Sequence, residues 1–277
     1  MAEKAGPWPP RWFRRHRDHA LLCLGLIAGL AGPGLTVAIA AAAAPPAERP
    51  PAEQTIPLAS AAGQELLLRR ESRRADYGAL AQWLETQAHL SYCGVASSVM
   101  VLNSLGLAAP LAEGLKPYRF WTQINVFSGA AARAPVVSAA LVSRQGMTLA
   151  QLDGLLTSQG ARVRRYYGEV LSLEHFRWLL KRNLADPDDR LLVNYDRRAL
   201  GQSGGGHISP LAAYDPRSDR VLILDVARYR YPAVWVTIPD LWQAVRSVDR
   251  GTGRSRGLLT IEAAAPPRGT SPPPDPS

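Results

Sequence analysis

Residues 85–103 read Glu85-Thr86-Gln87-Ala88-His89-Leu90-Ser91-Tyr92-Cys93-Gly94-Val95-Ala96-Ser97-Ser98-Val99-Met100-Val101-Leu102-Asn103. From Gly94 onward Val95, Val99, Leu102 and Leu105 recur at helical spacing, which predicts a helix with one apolar face to about Ser104. Gly106 is placed to end it. Cys93 stands at the mouth of that helix, where unpaired backbone N–H groups and the positive dipole end favour an anion. A thiol there ionises more readily, and the thiolate is the nucleophile. Gln87, six residues upstream, can return its amide to the same spot as an oxyanion donor. The competing reading is an inert cysteine packed at a helix start, a common fate of free cysteine.

A second region supplies partners for that thiol. Gly204-Gly205-Gly206-His207-Ile208-Ser209-Pro210 leads through Asp215-Pro216-Arg217-Ser218-Asp219 into Val221-Leu222-Ile223-Leu224-Asp225-Val226-Ala227. The turn residues between two apolar runs predict antiparallel strands folded about Arg217. With Arg217 as midpoint, position 225 faces 209, and 207 lies one diagonal step away on the same face. Asp225 then orients His207. A slip of one residue would put the pair on opposite faces, so the inference depends on register. An acid inside so apolar a run is costly unless paired.

Cysteine, histidine and aspartate in that order, with a glutamine ahead of the cysteine, follow the logic of an activated thiol nucleophile. Four segments carry a more specific resemblance. They are Thr86-Gln87 with Tyr92-Cys93-Gly94-Val95-Ala96-Ser97, Phe120-Trp121-Thr122-Gln123-Ile124-Asn125, Gly205-Gly206-His207-Ile208-Ser209-Pro210, and Leu224-Asp225-Val226-Ala227-Arg228-Tyr229-Arg230-Tyr231-Pro232. Together, over residues 55–262, they resemble the catalytic domain of phytochelatin synthase, and Arg256-Gly257 resembles an Arg-Gly pair of that family. The resemblance implies a papain-like α+β fold, with the nucleophile on a helical half and His207 and Asp225 on an antiparallel sheet half. It implies Cys93, His207, Asp225 and Gln87 as the catalytic set, and Arg256 as the group that binds the γ-glutamyl carboxylate of glutathione. Arginine's planar fork suits that task.

Composition bounds the rest. Lys and Arg number 32 against 23 Asp and Glu, a net charge of +9 over 277 residues. That charge favours small anionic substrates. No Lys/Arg run with interleaved aromatics appears in the body, which argues against nucleic-acid binding as the main role. Arg11, Arg14, Arg15 and Arg17 precede an uncharged stretch over residues 20–44. Its 25 residues would extend about 37 Å as a helix, enough to cross a bilayer. Residues 1–44 are therefore expected to be a signal peptide or a signal anchor that carries the domain out of the cytoplasm, to the periplasm. Soluble after cleavage and tethered through residues 20–44 are both compatible with this reading. Residues 45–57 read as a proline-rich linker, 58–262 as the catalytic domain and 263–277 as a disordered proline-rich tail.

Between these landmarks the pattern predicts a short helix at 64–74, a Thr148-capped helix at 147–156 and a strand at 161–167. A helix at 172–183, strands at 191–195 and 258–261, and a strand followed by a helix at 235–245 complete it. Residues 107–146 read as turns around an aromatic patch of Tyr118, Phe120, Trp121 and Phe127. His175 reads as a surface or packing residue. The chain has only Cys23 and Cys93 and no histidine pair at ligand spacing in its body, so no metal site is expected. A lone exported thiol is a candidate reactive one.

The resemblance implies no cofactor for acylation, with activation by heavy-metal thiolates of glutathione, cadmium included, as a family property. The family's plant members carry a cysteine-rich carboxyl-terminal half. This chain ends shortly after the catalytic stretch, so it resembles the short bacterial type, for which hydrolysis of glutathione is expected to dominate over polymer synthesis. Homodimerisation is compatible with the sequence. Two other readings stay open: a papain-like peptidase of different specificity, and an inactive module that binds thiol peptides.

Overall fold

Strands whose apolar residues occupy both parities build a sheet covered on both faces. In the computed structural model, which describes residues 55–128 and 137–264, seven such strands pair. They are β1 (Thr55–Pro57), β2 (Ala161–Tyr167), β3 (Asp189–Asp196), β4 (Gly206–Asp215), β5 (Arg220–Ile223), β6 (Val234–Thr237) and β7 (Gly257–Ala263). Their order is β1-β6-β5-β4-β3-β7-β2, and every neighbouring pair is antiparallel. Seven α-helices accompany them among the described residues: α1 (Ala61–Leu68), α2 (Tyr77–Gln82), α3 (Cys93–Ser104), α4 (Ala139–Gln145), α5 (Leu149–Ser158), α6 (Leu173–Asn183) and α7 (Ile238–Arg246). The architecture is the α+β class read from the sequence.

Residues along one strand divide between two cores. Leu192, Ile208, Leu222 and Trp235 pack with Val95, Val99 and Leu102 of α3 and Leu152, Leu155 and Leu156 of α5. Leu191, Val193, Tyr195 and Ile223 pack on the other side with Phe176 and Leu180 of α6 and Leu241 and Val245 of α7. The sheet is thus the middle layer of three.

Local chemistry sets the helix ends. Thr148 and Gln151 form a reciprocal capping box on α5, and the hydroxyls of Ser60, Ser172 and Thr237 accept from the first-turn N–H groups of α1, α6 and α7. After α3, Leu105 caps the helix and Gly106 follows at φ 65°, a left-handed conformation suited to glycine.

Some expectations need correction. The helix expected at 64–74 is α1, 61–68, because Ser60 caps it earlier and Arg69 leaves helical geometry. Helix α4 lies in the stretch read as turns. In the aromatic patch Trp121 is buried in the core, Phe127 packs against it partly buried, and Tyr118 is exposed. The last three residues of the expected linker form β1, paired with Val234, Trp235 and Val236. Three residues are too few to show a strand period, and the pairing with β6 alone makes them one. Ala263, read as the start of the tail, closes β7 opposite Ala161. The leader over 1–44, the rest of the linker and most of the tail lie outside the described residues.

The hairpin of β4 and β5 departs from its expected centre. Asp215 pairs with Arg220, Tyr214 with Val221 and Ala213 with Leu222, half a residue beyond the Arg217 midpoint. A bulge between Leu211 and Ala213 then shifts the register, so Leu211 faces Ile223. From there inward the pairing is the one expected about Arg217. Strand β5 ends at Ile223, though Leu224 N–H still donates to Pro210 O at 3.0 Å.

Candidate active site

Helix α3 opens at Cys93, and its first turn leaves backbone N–H groups without intrahelical acceptors. Burial alone would raise the thiol's pKa. Hydrogen bonding to His207, the charge of His207 and the backbone N–H groups of Ile208 and Gly94 outweigh it and hold the pKa below the ordinary value. Ser97 Oγ donates to Ile208 O at 3.1 Å, which fixes the helix against β4 just beyond the histidine.

His207 is 5% exposed, at the second residue of β4, opposite Tyr195 of β3. The Tyr195 ring meets it edge to face, 5.7 Å between centroids. His207 Nε2 lies 3.0 Å from Asp225 Oδ1. Burial by itself would lower the imidazole pKa, but the Asp225 carboxylate and the Cys93 thiol beside it raise it above the ordinary value. Burial would likewise raise the Asp225 pKa, and contacts with His207 and Arg197 bring it to about 2. The set therefore favours thiolate, imidazolium and carboxylate together.

Asp225 sits just past β5, where its Oδ1 accepts from Ala227 N–H at 2.8 Å, a local turn that ends the strand early. Arg197, 4% exposed, grips the same carboxylate with both Nη atoms, at 2.7 and 2.9 Å. The sequence reading did not single out Arg197. It is one of two adjacent arginines, and its neighbour Arg198 points outward to pair with Asp196. Nothing in the sequence separates the two.

Gln87 occupies an unexpected orientation. Its buried Nε2 contacts His89 O at 2.8 Å, Leu90 O at 2.9 Å and Tyr229 Oη at 3.0 Å. Two nearby carbonyls accept from the amide donors in this conformation, so it braces the loop leading to Cys93. Its backbone N–H donates to Val226 O at 3.0 Å, tying the segment that leads to Cys93 to the Asp225 turn. Gln123 of the aromatic-rich motif holds the same segment, accepting from Ala88 N–H at 2.8 Å and donating to Thr86 O at 2.9 Å. Tyr231 Oη accepts from Ser203 N–H at 2.7 Å, which anchors the glycine loop before His207.

Arg256 enters the same cleft as Cys93 and His207, together with Asn194, Asp249, Ser91 and Met147; the cleft holds about 240 Å³. Arg256 Nη1 donates to Asn194 Oδ1 at 3.0 Å and lies 3.9 Å from Asp249 Oδ2, while its buried Nε has no protein partner among the described residues. Gly206 makes room for this: a Cβ there would stand 2.1 Å from Arg256 Nη1. Asn194 and Asp249 were not foreseen, since each joins the site only through pairing or folding of distant segments. On the other side of His207, Gln87, Arg197, Tyr229 and Arg230 line a second hollow of about 230 Å³. A larger depression of about 500 Å³, lined by Arg73, Trp178 and Lys181, contains none of these groups. His175 is exposed beside Tyr166 and Trp178, as expected of a surface residue.

A family profile described as phytochelatin synthase matches residues 47–258. The chain is 30% identical over 213 residues to a glutathione gamma-glutamylcysteinyltransferase 1 of Lotus japonicus, covering 76% of this chain and 41% of that protein. It is 33% identical over 182 residues to glutathione gamma-glutamylcysteinyltransferase 2 of Arabidopsis thaliana, covering 66% and 38%. With the glutathione gamma-glutamylcysteinyltransferase of Schizosaccharomyces pombe it shares 27% over 219 residues, 78% and 51%. The chain thus spans between 38% and 51% of the length of these relatives.

Proposed function

Because this chain belongs to the phytochelatin synthase family, we propose that it is a thiol enzyme that cleaves the Cys–Gly bond of glutathione through an acyl-enzyme on Cys93. The observation that carries the reading is the sharing of one cleft by Cys93, His207 and Arg256. A nucleophile and its acid–base partner thereby stand beside a cation fit for the γ-glutamyl carboxylate. Asp249 near Arg256 adds a place for the γ-glutamyl amine.

The chemistry follows from the charge states. The Cys93 thiolate attacks the carbonyl carbon of the Cys–Gly bond, and its sulfur–carbon bond forms as the carbonyl becomes an oxyanion. The Cys93 backbone N–H at the start of α3 serves that oxyanion. Gln87 Nε2 joins it by exchanging one loop carbonyl for the developing charge. His207 then gives its proton to the departing glycine nitrogen, the C–N bond breaks, and γ-glutamylcysteine remains as a thioester on Cys93. In the second half His207, now neutral, takes a proton from the incoming group. Water yields γ-glutamylcysteine; the amine of another glutathione yields a phytochelatin. Asp225 holds the imidazole ring and its cation throughout.

Water is the default acceptor, since a dilute amine competes with it only if held in place. Hydrolysis therefore dominates at modest glutathione concentration. Metal thiolates of glutathione, cadmium included, are admitted as substrates or activators, and no metal is needed for acylation. Incubating the purified domain with glutathione, with and without cadmium, and weighing the products tests this. Glycine and γ-glutamylcysteine are expected; unchanged glutathione would reject the reading, and a predominance of longer γ-glutamylcysteine polymers would reject its hydrolytic form.

The same proposal places the domain outside the cytoplasm, on the strength of the basic leader and uncharged stretch in residues 1–44. Among the described residues no helix is long and apolar enough to cross a membrane. Fractionation of expressing cells, with the intact mass of the recovered protein, distinguishes cleavage from anchoring.

A further inference from the structure

The catalytic aspartate of a cysteine–histidine pair needs only one oxygen for its histidine. Here both oxygens of Asp225 are held by a guanidinium, in a place where water does not reach: the side chains of Arg197 and Asp225 are 4% and 0% exposed. Arg197 is itself held by more than its carboxylate. Nη1 donates to Gln202 Oε1 at 2.6 Å, and the guanidinium carbon stands 4.7 Å from the Tyr231 ring centroid and 5.9 Å from that of Tyr195. Burying a cation costs desolvation free energy that its partners need not return in full, so stability alone does not account for the arrangement.

We propose that Arg197 is the positioning residue of this active site: its fork fixes Asp225 so that Oδ1 is presented to His207 Nε2, and its charge sets the proton balance of the Cys93–His207 pair. The charge argument is a count. Cys93 thiolate, His207 imidazolium and Asp225 carboxylate together carry one net negative charge, and Arg197 brings the buried group to neutrality. Without it the buried group gains by taking up a proton, whether on the thiolate or by retaining the one on the imidazolium. Among the described residues, few other ionisable groups turn toward this cluster. Tyr195 and Tyr231 flank Arg197, and Arg230 lies 5.5 Å from the Tyr231 ring and lines the hollow beside His207. Arg256 and Asp249 line the cleft with Cys93 and His207, and Asp196 is engaged by Arg198.

The fork and the charge are separable by substitution. Arg197→Lys keeps the cation but cannot hold both Asp225 oxygens in one plane. Arg197→Met removes both. The readout is the rate of Cys93 alkylation by iodoacetamide against pH, beside the pH profile of glutathione turnover. In Arg197→Met, the acid limb (thiol ionisation) and the alkaline limb (loss of the imidazolium proton) both move to higher pH, on the order of one unit. In Arg197→Lys the limbs stay near their wild-type positions while turnover falls at least about tenfold. The proposal rests on Cys93 as the nucleophile, and wild-type alkylation checks that separately: a Cys93 no more reactive than a free thiol at neutral pH would reject the nucleophile, whatever Arg197 does. Limbs that stay put in a folded Arg197→Met, even with lost stability, would make Arg197 a structural residue only and overturn the proposal. If Arg197→Met does not fold, Arg197→Lys still decides: full turnover in that variant overturns the fork.

Discussion

His207 Nε2 stands 3.0 Å from Asp225 Oδ1 only because β4 carries one extra residue. Pairing at the turn end of the hairpin, continued unbroken, would set Asp225 opposite Pro210 and place His207 on the other face of the sheet. The bulge between Leu211 and Ala213 reverses that parity, so Ala212 and Ala213 both face the core shared with α3. The approach of His207 to Asp225 is therefore a product of the bulge as much as of the two residues.

Asp225→Asn is expected to keep the fold and lower turnover roughly 10³–10⁴-fold, since the imidazole loses the group that orients it. Asp225 also raises the His207 pKa. The sign follows: with that contact gone, the imidazolium loses its proton at lower pH, and the alkaline limb of the rate profile moves down. An unmoved limb, measured by stopped assays across the pH range, would break the link between the two residues.

Cys93→Ser should reduce turnover by at least about 10³-fold, because a hydroxyl in this setting is hardly ionised. Mass spectrometry of wild-type protein quenched during turnover should find γ-glutamylcysteine added to Cys93 and nothing added in the variant. A variant that retains substantial activity would remove the thioester from the mechanism.

Gln87→Ala tests two tasks together. Loss of its contacts to His89 O and Leu90 O loosens the loop before Cys93 and lowers the thermal midpoint. Loss of an oxyanion donor costs about 3–4 kcal/mol in the barrier. A drop in midpoint with kcat near wild type would leave the glutamine its bracing role alone.

Arg256→Ala should raise KM for glutathione about ten- to a hundredfold, the scale of a lost charge-assisted hydrogen bond or two. Alkylation of Cys93 should stay near the wild-type rate. Gly206→Ala is expected to reproduce this defect, because the new methyl group takes the space of the guanidinium and displaces it from the cleft. A Gly206→Ala enzyme with normal KM would mean that Arg256 works from elsewhere.

A stability prediction concerns Asp76, fully buried 3.3 Å from Arg190, whose guanidinium also binds Ser104 at the end of α3. Burial, only partly offset by Arg190, raises the Asp76 pKa to about 8. A carboxyl raised above its unfolded value of about 4 contributes stability that is present below that value and lost as pH rises toward 8. Asp76→Asn should therefore flatten the decline of the denaturation midpoint between about pH 4 and 8. An undiminished decline would assign it to other groups, Asp189 first, which burial raises to about 7.

The amino-acid sequence by itself determined the elements whose signals are local. The period of Val95, Val99 and Leu102 marks α3, Thr148 and Ser172 mark helix starts, and the turn residues 215–219 mark the hairpin. Cys93, His207 and Asp225, which the fold brings together, stood out in the sequence because their residue types and flanking motifs carry chemistry. Tertiary structure alone decided the rest. The strand character of Thr55–Pro57, the bulge at Ala212, the choice of Arg197 over Arg198 for Asp225, and the turning of Gln87 toward His89 and Leu90 all depend on groups distant in sequence or on competition among near neighbours. Periodicity and capping are properties of a few consecutive residues, whereas a buried charge or amide takes whichever partner the folded chain brings within reach.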